Sequence, residues 1–149
     1  MAIHWLPDNI AYLTPYLTVR DAEAMIDFYE RAFGFVRSEL MPGEDGKPVH
    51  VSMTYLGTET VMFAPENTQQ PCRAPATSGV QVPINLYLYC EDVDSFIARA
   101  EKAGATIISK PEDMFWGDRI AQVEDPDGYR WTFATKVAEF DPAKIPSAG

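Results

Sequence analysis

Two stretches of the chain carry apolar residues at helical spacing. Ala22, Met25, Ile26, Tyr29 and Phe33 share one face of a predicted helix, and Val93, Phe96, Ile97 and Ala100 share another. Each stretch starts after an aspartate, Asp21 or Asp92, whose carboxylate can accept the first free backbone N–H groups. Each ends near a glycine, Gly34 or Gly104, a natural helix stop. Elsewhere apolar and polar residues alternate with the period of a strand. Strands are expected at about 12–19, 35–41, 48–56 and 60–65, then at 84–90, 105–109, 118–124 and 129–136. PGEDGK (42–47) reads as a hairpin turn and KPEDMFWG (110–117) as a longer loop.

The same plan occurs twice. Asp21 and Asp92 are 71 residues apart and Gly34 and Gly104 are 70 apart. LGTETVMFA (56–64) parallels DGYRWTFAT (127–135), with Gly57 and Gly128 71 apart and Phe63 and Phe133 70 apart. Each copy is βαβββ, so the fold class is α+β, with a mainly antiparallel set of strands carrying a helix on one face. Module one spans 10–65 and module two 84–137, together one domain over 1–137. The Pro-, Ser-, Thr- and Gln-rich stretch 66–83 is the linker, and 138–149 is an irregular tail.

The alternation also sorts the strand faces. Leu17 and Val19, Val61 and Phe63, Leu86, Leu88 and Cys90, and Trp131 and Phe133 make apolar faces that should bury against the helices. The opposite faces are mixed: Thr14, Tyr16 and Thr18; Met62; Asn85, Tyr87 and Tyr89; Arg130 and Thr132. Solvated strands usually show Lys, Glu and Thr. Three tyrosines with an arginine and an asparagine look more like the lining of a small-molecule cleft, an apolar surface with a few fixed polar groups.

Composition narrows the function classes. Apolar residues make up 46% of the 149, enough to bury a core. Twelve basic against 22 acidic residues give a net charge of −10, with no basic stripe, which argues against nucleic acid as a partner. No apolar run approaches the roughly 20 residues of a membrane helix, and MAIHWLPDNI does not read as a signal peptide. Cys72 and Cys90 make no disulfide framework, so a cytoplasmic location is expected.

With its doubled βαβββ plan and the stretches VRDAEAMIDFYERAFGF, CEDVDSFIARAEKAGA and DPDGYRWTF, the chain resembles the vicinal oxygen chelate superfamily, also called the glyoxalase, bleomycin-resistance and extradiol-dioxygenase superfamily. TPYLTV, His50, FWGDR (115–119) and DGYRWTFAT look most like its PhnB-like branch. The resemblance implies paired modules forming a curved mixed sheet around a cleft, with the helices outside, and often a homodimer. In the enzymes of the superfamily, strand residues hold a divalent metal in the cleft. Two of those positions lie seven residues before the helix-capping aspartate, and one lies four residues after the glycine of the DPDG turn. Here they are Thr14, Asn85 and Thr132, and the repeat puts the fourth at Met62. These side chains are a poor set for Zn²⁺, Fe²⁺ or Ni²⁺, which favour imidazole, carboxylate or thiolate. No metal and no other cofactor are therefore expected.

The leading expectation is a metal-free protein that binds an aromatic or amphipathic small molecule. Its cleft would be lined by Thr14, Tyr16, Met62, Asn85, Tyr87, Tyr89, Trp116, Arg119, Arg130 and Thr132. Trp116 can stack on a planar ligand and Arg119 or Arg130 can pair with an anion. The plainer readings are a loop anchor for Trp116, an Asp118–Arg119 surface pair, and a surface cation at Arg130. The alternative is a lyase, isomerase or dioxygenase, with a displaced metal or with His50, a tyrosine or Glu66 as acid or base. His50 is the one weak catalytic candidate, and it reads more simply as a half-exposed strand residue. A pure interaction module, dimerising through linker and tail, is a third reading. Cys90 reads as a buried inert thiol.

Overall fold

The structure is a computed structural model of the 149-residue chain. It describes residues 2–67, 69 and 71–147, so positions 68 and 70 of the expected linker and 148–149 of the tail lie outside the described residues. The chain divides into two compact units, 1–78 and 79–149, and the division falls within the stretch read as a linker.

Unit one contains β1 (Tyr16–Val19), α1 (Ala22–Phe33), β2 (Val36–Pro42), β3 (Pro48–Tyr55), β4 (Thr58–Pro65) and the short α2 (Pro75–Ser78). Unit two contains β5 (Asn85–Tyr89), α3 (Val93–Lys102), β6 (Thr106–Asp113), β7 (Asp118–Glu124), β8 (Arg130–Lys136) and a 3-10 turn at Pro142–Lys144. Each unit builds its own four-stranded mixed sheet, ordered β1-β4-β3-β2 and β5-β8-β7-β6. In each, the first strand runs parallel to the last and the remaining pairs are antiparallel.

The helices form where the pattern places them. The Asp21 carboxylate accepts from Ala24 N at 3.0 Å, and Asp92 caps α3 by accepting from Asp94 N at 3.1 Å. Gly34 closes α1 in the left-handed region at φ 68°, where its N–H donates to Glu30 and Tyr29 carbonyls. α3 ends on Ala103 with an ordinary right-handed backbone, and Gly104 follows it.

The apolar faces bury as the alternation requires, except that Leu86 and Leu88 of β5 stay half-buried. Val19, Val61, Phe63 and Tyr29 are sealed between sheet and α1, and Phe133 and Trp131 lie beneath α3 with Ile97 and Ala100. Phe96 packs on Phe133 with ring centroids 4.3 Å apart. Trp131 is further held by its indole N–H, which donates to the buried Asp125 carboxylate at 3.1 Å. That carboxylate also accepts from the Asp127 and Tyr129 N–H groups, so the DPDG turn and the strand after it share one anchor.

Three segments differ from the pattern-based expectation. β1 starts at Tyr16, not residue 12, so Thr14 precedes the strand. Before it the chain is held at Ile10–Glu59 and by Glu59 N donating to Asn9 O at 2.7 Å. The expected loop 110–117 begins as strand, because β6 continues through Pro111 to Asp113 with two register shifts. β6 is a sheet edge, where proline's missing N–H costs no ladder bond. The linker carries α2, with Ala74 N donating to the Glu66 carboxylate at 2.8 Å.

Candidate functional site

In each unit one sheet face packs on the helix, and the strand residues that alternate onto the other face carry most of the polar groups of the sheet among the described residues. The strand registers match between units. Tyr16 stands beside Met62 and Ser52 pairs with Met62, just as Tyr87 stands beside Thr132 and Gln122 pairs with Thr132. Met62 and Thr132 therefore occupy equivalent places, which resolves the one-residue ambiguity in the sequence repeat.

Unit two carries the denser cluster. Asn85 Nδ2 donates to Thr132 Oγ1, and Gln122 Nε2 donates to the same oxygen at 3.3 Å. Thr132 is 2% exposed. Further along the face, Tyr87 Oη and Tyr89 Oη each donate to Asp118 Oδ2 at 2.7 Å, and Trp116 Nε1 donates to it at 3.1 Å. Asp118 is 4% exposed, whereas the Tyr87 and Tyr89 rings stand out at 45% and 58%. Partial burial raises the Tyr87 phenol to about 12, reinforced by its bond to the Asp118 carboxylate. Tyr89 is raised chiefly by its bond to Asp118. Both hydroxyls therefore stay protonated donors at neutral pH.

The 114–117 turn that delivers Trp116 and Asp118 is braced from behind. Gly117 O accepts from Val137 N at 2.9 Å and Ala138 N at 3.0 Å. Gly117 has φ 102°, and a Cβ there would clash with the Ala138 carbonyl. Only glycine fits both the backbone and the space.

The sequence pointed to Arg119 as a cleft residue, with an Asp118–Arg119 surface pair as the plainer reading, and it did not single out Asp118 as the hub of this face. Its signal was available: β7 alternates, so two adjacent residues must point to opposite faces. Arg119 goes to the helix side, where it binds Asp113 at 2.6 Å and Asp94 at 3.0 Å. These two carboxylates raise its pKa further. Arg130 is paired with Glu124 at 3.2 Å. The structure thus brings together Asn85, Tyr87, Tyr89, Trp116 and Thr132, sends Arg119 to the other side, and engages Arg130 in an ion pair.

Unit one has a smaller arrangement. Tyr16 Oη lies 2.8 Å from His50 Nδ1, and His50 Nε2 lies 3.1 Å from Ser52 Oγ. Ser52 is fully buried and Tyr16 is 56% exposed, so the chain runs from core to surface. Burial raises the Tyr16 phenol. Thr14 Oγ1 is shielded and has no hydrogen-bond partner among the described residues. Glu66 is spent on the linker: bonds from Thr77 and then Ala74 hold its carboxyl below the usual range. Cys90 is buried and its thiol is pushed up by burial, as an inert core cysteine should be. A separate hollow beside the start of α1, lined by Arg20, Glu23, Asp45, Lys47 and Val49, touches none of these groups.

The four residues that the resemblance puts at metal-ligand positions, Thr14, Met62, Asn85 and Thr132, offer two hydroxyls, a thioether and a carboxamide, with Asn85 turning its N–H₂ toward Thr132. This set does not fit a first-row divalent ion, which binds imidazole, carboxylate or thiolate. No group of three His, Cys, Asp or Glu gathers elsewhere among the described residues.

Doubled βαβββ units with this strand order and an open polar face define a class of paired-module α+β proteins. The profile of the Glyoxalase/Bleomycin resistance protein/Dioxygenase superfamily matches residues 9–133, and the chain belongs to that superfamily. Among curated proteins it is 38% identical over 139 residues to uncharacterized protein Rv0887c of Mycobacterium tuberculosis, covering 91% of this chain and 81% of that one. Among solved structures it is similar to TioX from Micromonospora sp. ML1, at 26% identity and TM-score 0.67, covering 85% and 99% of the two chains. TnmS3 from Streptomyces sp. CB03234, an antibiotic binding protein, shares the fold at 23% identity and TM-score 0.58, covering 85% and 97%. No described helix is long and apolar enough to cross a membrane.

Proposed function

We propose that this chain is a small-molecule binding protein that takes an aromatic or amphipathic ligand without a metal at the family position. The observation that carries this reading is the open face of unit two. Two exposed tyrosine rings and Trp116 surround a floor of fixed polar groups, with one neutral amide, Asn85, and one hydroxyl, Thr132, where the resemblance puts metal ligands. The antibiotic-binding role of TnmS3 supports it by analogy of fold. Motif resemblance favours the PhnB-like branch. Exposed Trp5, Tyr12, Leu13, Phe140 and Ile145 favour a homodimer, and two unpaired cysteines favour the cytoplasm.

The test has two arms. Untagged protein is incubated with Zn²⁺, Ni²⁺, Mn²⁺ and Fe²⁺, desalted and analysed for metal; retention of about one ion per chain or per dimer overturns the metal-free reading. A thermal-shift screen of aromatic antibiotics and metabolites should give hits that Tyr87→Ala and Trp116→Ala weaken. A second reading rests on the Tyr16–His50–Ser52 chain, a route for a proton between surface and core. It makes the protein a metal-free acid–base enzyme, and it requires lyase or isomerase turnover that His50→Gln abolishes.

A further inference from the structure

Asp118 is a buried carboxylate that no described cation contacts directly; the Lys136 ammonium feels its charge but bonds Glu139. All three of its side-chain hydrogen bonds come from neutral aromatic donors, and all three fall on Oδ2. No described cation lies within ion-pair distance of it. Lys136 is its cross-strand neighbour, but that ammonium is placed on Glu139 at 2.8 Å. Arg119, next in sequence, is turned to the helix side by Asp113 and Asp94. Buried carboxylates are ordinarily paired with a cation, because neutral hydrogen bonds only partly replace the lost hydration. The three donors leave Oδ1 as an acceptor with no described partner, and because each donor lies in its ring plane the π faces of Tyr87, Tyr89 and Trp116 stay free to meet the body of a cation bound beside the carboxylate.

We infer that unit two recognises an organic cation: an amine, or a quaternary nitrogen carried on an aromatic or apolar body, whose charge is neutralised at Asp118 and whose carbon shell packs on Tyr87, Tyr89 and Trp116. The tyrosine rings are about half exposed while the charge they bond is buried, so a ligand can reach them from solvent. A compact metal ion is not the occupant, since Asp118 is the only carboxylate in the cluster. The inference rests on the binding-protein reading above and adds the ligand's charge to it.

The probes are N-methylacridinium and acridine at pH 8, the same ring system with and without a fixed positive charge, titrated at low salt by fluorescence. The wild-type chain should bind N-methylacridinium at least about tenfold more tightly than acridine, and added NaCl should shrink the ratio. Benzyltrimethylammonium should displace the bound probe. Asp118→Asn keeps an acceptor oxygen and the side-chain volume, and it should bring the ratio close to one. Circular dichroism and thermal unfolding show whether that variant is folded, and the wild-type ratio needs no variant at all. Equal affinity of the two probes for the wild type overturns the cation assignment and leaves the binding-protein reading standing. Binding of neither probe up to millimolar concentration overturns both. A tenfold preference that survives in folded Asp118→Asn overturns the role given to Asp118.

Discussion

The two halves of this chain share a frame and differ at a few places on it. Tyr16 and Tyr87 occupy equivalent positions on the first strand of each unit, each beside its equivalent residue on the last strand. Tyr16 finds His50, whose register partner in unit two is Ile120; Tyr87 finds Asp118, whose register partner in unit one is Pro48. One strand plan thus carries an imidazole–hydroxyl chain in one unit and a buried carboxylate ringed by aromatics in the other. The backbone register is held by the apolar face packed on the helix. The open face is released from that constraint, and a few differences on it, Pro48 against Asp118, His50 against Ile120 and Thr18 against Tyr89, go with its change of chemistry.

The largest effect should come from the shared frame. Phe63→Ala and Phe133→Ala, at equivalent buried positions, should each cost about 3–5 kcal/mol in urea unfolding. A marked inequality between them would break the equivalence of the two cores.

Next comes Gly117→Ala, which meets the Ala138 carbonyl and a positive φ together. It should lower stability by roughly 1–3 kcal/mol and weaken any ligand that Trp116 contacts, because the turn must shift. The equivalent turn of unit one has Gly46 at φ 79° with no atom crowding the place of a Cβ, so unchanged Trp116 fluorescence and stability in Gly117→Ala would remove the special bracing of unit two.

Ser52→Ala leaves His50 Nε2 without its described partner at a fully buried position. A cost of about 1 kcal/mol is expected from denaturant unfolding. A larger loss would mean the unit-one chain matters more to the fold than a single neutral hydrogen bond can.

Alkaline pH separates the halves more finely. The Tyr87 phenol is raised to about 12 in the folded chain, above its ordinary value of 10.0. The folded state therefore holds the proton more tightly, so the contribution is fully present below pH 10 and is lost as pH rises toward 12. Stability followed by urea unfolding from pH 9 to 12 should fall in that window, and Tyr87→Phe should flatten the fall. A curve unchanged in the variant would detach the tyrosine from Asp118.

The smallest effect is Arg119→Ala. It removes two exposed ion pairs on the helix side and should move the thermal midpoint by no more than a few degrees. A loss of ligand affinity in that variant would contradict its placement away from the open face.

Much of this was legible in the sequence because it depends on period and spacing. The helices at 22–33 and 93–102, their aspartate caps, the doubled βαβββ order and the burial of Phe63, Phe133 and Trp131 follow from local rules of capping and alternation. The extension of β6 through Pro111 did not, because proline signals a loop unless the strand is known to be an edge.

The sequence by itself determined the modules, the apolar faces and the lack of good metal donors at Thr14, Met62, Asn85 and Thr132. Those properties belong to residue type and to neighbours along the chain. Alternation along β7 puts Asp118 and Arg119 on opposite faces, and the tertiary structure decided what each one meets there, Asp118 the three aromatic donors and Arg119 the carboxylates of Asp113 and Asp94. It also decided that the tyrosines of β5, about thirty residues away in sequence, close on that charge. A strand's alternation gives two sides, but which partner meets a side chain depends on which distant strand lies beside it, and pairing across a sheet is set by packing of the whole unit.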